Sequence, residues 1–240
     1  MPSSLTPTPV DFNALVRRDP HHGPWRIAAV DDHPLLVEGI ASVLARAGQD
    51  LHWLGAAHTW SALQDLLEVE PEMPDIVLVD LYLNDGSDPS EVIADLVGRG
   101  IRCVILTSEV RPVPIRRAVA AGAVGLMLKS DPVDAMAATL DDLRTAPFAV
   151  SSDLAHVILT DPAACAELTG REQEILALLA EGYTRESIAR RTTDGIAEAT
   201  VSSHLNRAKH RYTDLGRPVS SSIQLLREAL ADGYLRGEQR

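Results

Sequence analysis

Residues 75–80 read Asp-Ile-Val-Leu-Val-Asp, four apolar residues in a row closed at each end by an acid. A run this short, rich in β-branched residues and without polar alternation, fits a strand buried on both faces, as in a parallel sheet. The flanking sequence supplies partners. Arg26–Val30, Leu51–Ala56, Arg102–Thr107 and Val124–Leu128 are further apolar runs. Between them helical spacing recurs. Pro34 opens a stretch to Ala47 with Leu35, Leu36, Ile40, Val43, Leu44 and Ala47, and Thr59–Val69 carries Leu63, Leu66 and Leu67. Pro89–Val97 is closed by Gly98 and Gly100, Val113–Ala121 by Gly122, and Asp134–Leu143 places Met136, Leu140 and Leu143 on one side. Five strands alternating with five helices predict an α/β doubly wound five-stranded parallel sheet with right-handed crossovers. In such a sheet the functional site lies at the carboxyl ends of the strands.

Those ends are chemically distinctive. The first strand ends in Asp31 and Asp32, the third in Asp80, the fourth in Thr107 and Ser108, and the fifth in Lys129. Each alone reads as a helix cap, a loop hydroxyl or a solvated charge. Together, in order, at four strand ends, they describe a site. Three carboxylates on one edge repel unless a cation joins them, and hard oxygen ligands of this kind favour Mg²⁺. With an ammonium and a hydroxyl opposite, the constellation suits a phosphoryl group, Asp80 being the natural nucleophile.

Composition narrows the classes. The chain has 240 residues and a net charge of −12, all of it within residues 1–165; residues 166–240 are neutral. No apolar run reaches the length of a membrane span, the first residues lack the order of a signal peptide, and Cys103 and Cys165 imply no disulfide framework. A cytoplasmic protein without a membrane partner is expected. Acidity overall argues against nucleic acid, whereas a neutral C-terminal module with basic clusters leaves it open.

That module begins with Thr169 followed by Glu172 at capping-box spacing, and carries Ile175, Leu176, Leu178 and Leu179 up to Gly182. Thr184 caps a second helix over Arg185–Arg191. After a Gly195 turn, a third runs from about Glu198 to Tyr212 with Val201, Leu205, Ala208 and Tyr212 inward, and Ile223 to Leu230 forms a fourth. Two helices, a turn and a polar third helix predict a small all-α helix-turn-helix domain. Ser202, Ser203, Asn206, Arg207 and His210 occupy its outer face, with Asn206 able to make a bidentate bond to adenine. Thr184, Thr200, Arg207 and Arg211 are candidates for phosphate contacts.

The stretches VDDHPLLVEGI (30–40), IVLVDLYLNDGS (76–87), VILTSE (104–109) and AGAVGLMLKSDP (121–132) resemble the receiver domain of bacterial two-component response regulators in the NarL/FixJ family, whose fold is flavodoxin-like. The resemblance implies that Asp80 accepts a phosphoryl group from a sensor histidine kinase. It further implies that Asp31, Asp32, Asp80 and the backbone carbonyl of Tyr82 hold Mg²⁺, that Thr107 is the switch hydroxyl and that Lys129 pairs with the phosphoryl group. The rotating aromatic that receivers carry three residues before the lysine is here Leu126, and Lys129 is followed by Ser130 rather than proline. LTGREQEILALLAEGYTRESIARR (168–191) and ATVSSHLNRAKHRY (199–212) resemble a LuxR-type helix-turn-helix, implying operator DNA as partner. Here the turn TTDGIAEA is two residues longer than the family's, Ser202 replaces a common lysine, and Lys209 takes a usually apolar position.

The expected organisation is a leader over 1–24, a receiver domain over 25–146, a linker over 147–165 and a DNA-binding domain over 166–240. The linker contains a possible short helix, Ser152–Leu159, with Leu154, Val157 and Ile158 inward. The family's fourth helix implies a homodimer contact, for which Leu225, Leu226, Leu230 and Tyr234 are candidates, a plain core role being the alternative. The function expected is phosphorylation-controlled transcription, with a phosphorylation-independent DNA-binding regulator as the alternative; no enzyme is expected, because an aspartyl phosphatase would want an acid where Tyr82 stands.

Overall fold

The structure, a computed structural model, describes residues 23–46, 50–69, 72–161 and 165–235. The expected leader falls outside these residues except for Gly23 and Pro24, and so do Ala47 and 162–164 of the Pro/Ala stretch. The chain divides into two compact units, one running to Val110 and again over Ile115–Leu159, the other taking Arg111–Pro114 and the chain from Thr160 onward.

The first unit alternates as the sequence predicts. In chain order it has β1 (Trp25–Val30), α1 (Pro34–Arg46), β2 (Leu51–Ala57), α2 (Trp60–Val69), β3 (Ile76–Val79) and α3 (Pro89–Gly98). Then follow β4 (Arg102–Thr107), α4 (Pro112–Ala120), β5 (Gly125–Leu128), α5 (Val133–Asp142), β6 (Ala149–Val150) and α6 (Asp153–Thr160). All neighbours pair in parallel, in the order β2-β1-β3-β4-β5-β6. Alternate residues feed two cores. Ala28, Val30, Val77, Val79, Cys103, Ile105, Leu126 and Leu128 pack with α2, α3, α4 and α6. Ile27, Ala29, Ile76, Leu78, Val104, Leu106 and Met127 pack with α1 and α5. The uninterrupted apolar runs are thus explained: both faces of each central strand are covered. Trp25 closes one end, its Nε1 donating to the Leu140 carbonyl at 3.2 Å while Arg102 and Arg144 stack on its ring. The β1–β2 register shifts between Ile27 and Ala28, and there Gly55 has φ +137°, a backbone that side chains rarely adopt.

The segment expected as a linker is largely part of this unit. β6 adds a sixth strand, and α6 buries Ala155 and Ile158 in the core. Of the residues expected inward, only Ile158 is; Leu154 and Val157 are about half exposed. The one-turn spacing of Ala155 and Ile158, not the larger side chains, faces the sheet.

The second unit has α7 (Gly170–Ala180), α8 (Arg185–Arg191), α9 (Glu198–Asp214) and α10 (Ser222–Asp232). Thr169 and Glu172 form the expected capping box, Thr184 accepts from the Ser187 amide, and Ser221 with Gln224 forms a second box. Ile175, Leu176, Ile188, Val201, Leu205, Ala208, Tyr212, Leu225 and Ala229 make its core. For two of the dimer candidates the packing favours the core role that stood as the alternative. Leu225 is wholly interior, one turn from Ala229 on the inward stripe. Tyr234 packs against the same core, its hydroxyl donating to the Ala166 carbonyl and accepting from the Leu168 amide. Leu226 is partly buried, Leu230 is exposed, and Ile223 is the most exposed apolar residue of α10. Among the described residues no helix is long and apolar enough to cross a membrane.

Ile93 lies on the buried face of α3 with no exposed surface. Ile93→Ala is expected to lower the unfolding free energy by about 2–5 kcal/mol, the range for a truncation that leaves a cavity, measured by urea denaturation of the full chain.

Candidate functional site

Backbone register brings the strand ends level. The Asp31 amide donates to the Ala57 carbonyl, the Asp80 amide to Val30, and the Lys129 amide to Thr107. Because β1, β3, β4 and β5 are successive neighbours, Asp31, Asp80, Thr107 and Lys129 stand in one row.

Their side chains meet. The Thr107 hydroxyl donates to Asp80 Oδ1 at 2.9 Å, and Lys129 Nζ donates to Asp80 Oδ2 at 2.8 Å. The same ammonium lies 2.7 Å from Asp31 Oδ2. That contact is an ion pair without hydrogen-bond alignment, so Asp31 Oδ2 is a buried carboxylate oxygen with no aligned donor. Asp31 Oδ1 accepts from the His33 amide at 2.8 Å. Asp31, Asp80 and Thr107 are buried, and the Lys129 side chain nearly so. Burial, aided by the neighbouring Asp80 charge, raises the Asp31 carboxyl above its ordinary value against the pull of Lys129 and the His33 amide. Burial works to lower Lys129, but the two carboxylates carry it above its ordinary value, so it stays an ammonium.

Asp32 stands at the rim, one oxygen 2.6 Å from His33 Nδ1 and the other accepting from Asn84 Nδ2. The Thr107 hydroxyl accepts from the Glu109 amide at 3.1 Å, and the Glu109 carboxylate accepts from the Tyr82 hydroxyl. Ser108 is exposed, and Leu126 is wholly buried among apolar side chains. The sequence reading missed His33, Asn84 and Glu109. His33 adjoins Asp32, and Glu109 lies two residues past Thr107, but no spacing rule gave them partners.

The donor set fits a hard divalent cation. Asp31 and Asp80 meet at Lys129, one buried Asp31 oxygen has no aligned donor, and Asp31, Asp32 and His33 offer ligand atoms within 4.8 Å of one another.

In the second unit α9 presents Ser203, Asn206, Arg207 and His210 outward, with Ser202 half-buried beside them and Thr200 half-buried in the first turn. The Ser202 hydroxyl accepts from Arg185 at 3.4 Å, the Ser203 hydroxyl donates to the Ala199 carbonyl, and Arg207 contacts the His204 ring. Arg211 points less freely outward, its Nε 3.2 Å from the buried Glu172 carboxylate, which also faces Arg207 at 3.9 Å. The long turn between α8 and α9 is docked on α7. Glu174 accepts from the amide and hydroxyl of Thr193 at 2.8 and 2.9 Å, and Arg171 bridges Glu174 and Asp194.

A profile described as GerE, bacterial regulatory proteins of the luxR family, matches residues 166–211, the span from the start of the second unit's core into α9. The probable transcriptional regulatory protein SgaR of Hyphomicrobium methylovorum is 30% identical over 197 residues, covering 79% of this chain and 86% of that protein. The chain is a response regulator of the luxR family. The DNA-binding transcriptional activator DevR/DosR of Mycobacterium tuberculosis is 29% identical to this response regulator over 191 residues, covering 76% of it and 85% of the activator. In fold, the response regulator is similar to RcsB from Salmonella enterica serovar Typhimurium, solved on promoter DNA with phosphomimetic BeF3−. The TM-score is 0.63 at 21% identity, over 87% of this chain and 99% of that one.

The docked turn carries a pH signature. Burial works to raise the Glu174 carboxyl, but the Thr193 amide and hydroxyl and Arg171 bring it below its ordinary value of 4.5. A depressed carboxylate stabilises in full above that ordinary value and loses its contribution as the pH falls through its lower folded value. Glu174→Gln is expected to lower the melting temperature at neutral pH and to shrink this difference as the pH falls, in thermal scans from neutral to acid pH.

Proposed function

We propose that this response regulator accepts a phosphoryl group on Asp80 from a sensor histidine kinase and, so modified, binds operator DNA through α9 as a homodimer. One observation carries the reading. Asp80 has each carboxylate oxygen held by a different group, the Thr107 hydroxyl and the Lys129 ammonium, beside a second buried carboxylate with an oxygen that lacks an aligned donor.

In this scheme one Asp80 oxygen forms a bond to phosphorus as the donor's bond to phosphorus breaks, leaving an acyl phosphate. Lys129 then faces the phosphoryl oxygens, and Thr107 turns from the carboxylate to one of them. Asp31, Asp32, Asp80 and the Tyr82 carbonyl are the residues to hold Mg²⁺, which when bound would offset charge on the phosphoryl oxygens. The reaction takes place in the cytoplasm. On DNA, Asn206 and the serines face base edges, while Arg207 and backbone amides hold phosphates. The exposed Ile223 and Leu230 of α10 are the side chains best placed for a two-fold contact.

The phosphorylation-independent alternative draws on one feature, Leu126. A wholly buried leucine has no hydroxyl and no rotating ring to follow Thr107. DNA affinity indifferent to beryllofluoride at Asp80 would favour that reading.

Intact mass after incubation with Mg²⁺ and acetyl phosphate is expected to show one added phosphoryl group on the wild type and none on Asp80→Asn. An adduct on both would remove Asp80 from its role. In operator titrations, Asn206→Ala is expected to cost about 1–3 kcal/mol of specific binding with non-specific binding spared. Arg207→Ala should weaken all sequences alike and reduce the salt slope by about 1.

A further inference from the structure

Asp131 lies two residues beyond Lys129, and a single oxygen of its carboxylate gathers three donors. Oδ2 accepts from the Leu128 amide at 3.1 Å, from the Ser152 hydroxyl at 3.1 Å, and from the Ser151 hydroxyl. One donor ends β5 and the other two are the consecutive residues that join β6 to α6. Leu128 ends β5, the strand that delivers Lys129. Ser151 follows β6 and holds it to β5, its amide donating to the Leu126 carbonyl at 3.1 Å. Ser152 precedes α6, and its hydroxyl accepts from the Ala155 amide in the first turn at 3.3 Å. One carboxylate oxygen therefore joins the strand bearing the phosphoryl-facing lysine to the start of the terminal helix of this unit.

The rest of α6 rests on the switch elements as well. Ala155 and Ile158 pack in the core that contains Ile115 and Ala118 of α4 and Leu126 and Leu128 of β5. Arg116 Nε of α4 donates to the Ile158 carbonyl at 3.0 Å. So β6 lies against β5, which ends next to Lys129, and α6 lies against α4. Leu126 supplies no side-chain route outward, but its carbonyl is the atom that β6 grips.

We propose that Asp131 is a positioning residue that couples occupancy of Asp80 to the docking of β6 and α6. This rests on Asp80 being the phosphoacceptor. Lys129 at present serves two carboxylates; a phosphoryl group moves negative charge outward from Asp80, and the ammonium follows it. The loop 129–131 is short and pinned by the Lys129 amide on Thr107 and the Asp131 amide on Leu128. A shift of Lys129 therefore reaches the Asp131 carboxylate, and with it both serines. Residues 149–160 form the stretch of chain that leads towards the second unit, so the strength of this clasp sets how firmly that stretch is held to the sheet of the first.

The test is hydrogen exchange on the full-length protein in Mg²⁺, with and without beryllofluoride, occupancy of Asp80 being read by fluorine NMR. In the wild type, occupancy is expected to change exchange over residues 149–160 by about fivefold or more, the scale of ordinary coupling between sites. Ser151→Ala combined with Ser152→Ala is expected to load beryllofluoride normally while exchange over 149–160 no longer depends on loading. Ser152→Thr, which keeps the hydroxyl, should restore the dependence when paired with wild-type Ser151. Asp131→Asn is a second route to the same uncoupling. An occupied wild type with unchanged exchange over 149–160 would overturn the coupling alone. So would a double variant whose exchange is faster in both states but still differs between them, since that marks a merely structural clasp. Failure to load Asp80 would overturn the coupling together with the phosphoacceptor reading.

Discussion

The Lys129 ammonium between the carboxylates of Asp31 and Asp80 is the interaction on which the first unit depends. Taking three charges out of water costs several kcal/mol for each, and it is tolerated only when geometry lets them compensate one another. The parallel sheet provides that geometry. Four adjacent strands stop at the same level, and each contributes one group to the row. A shift of one residue in any strand would turn its terminal side chain to the opposite face, so the apolar pattern inside the sheet and the charged row at its edge are fixed together. The two carboxylates outnumber the single ammonium, so the row keeps an excess of negative charge.

The second unit uses a buried carboxylate differently. Glu172 caps α7 through the Thr169 amide at 2.8 Å and also faces Arg207 and Arg211 of α9. One acid thus fixes a helix start and biases two arginines of the outward helix. The extra length of the α8–α9 turn does not hang loose, because Glu174 and Arg171 hold Thr193 and Asp194. α9 still starts at Glu198, where its periodicity places it.

How much of this the sequence carried depends on the kind of signal. Long apolar runs and their terminal acids are written in consecutive residues, so five strands, the helices and the row from Asp31 to Lys129 were legible. β6 was not, because Ala149–Val150 is too short to show any period and its stability comes from the Ser151 and Asp131 contacts, distant in sequence. α6 was legible as a helix but not in orientation, since its small Ala155 outcompetes Leu154 for the interior. The same limit left Leu225 and Tyr234 open between core and dimer contact: an amphipathic stripe announces a covered face without saying whether the chain itself or a second copy covers it. His33, Asn84 and Glu109 entered the site through hydrogen bonds that follow loop conformation rather than composition.

The two outer strands of the sheet have a consequence for how copies of this protein meet. An unpaired strand edge invites another chain to add to it, the route to sheet extension and aggregation. Here one edge is β6, only two residues long, which offers a foreign strand too few hydrogen bonds to align on. The other is β2, whose register against β1 is broken by the shift near Gly55, so its free groups do not form a straight template. Both margins are blunted without any help from charge. A foreign strand thus finds no straight template at either margin, and backbone zippering between copies is disfavoured.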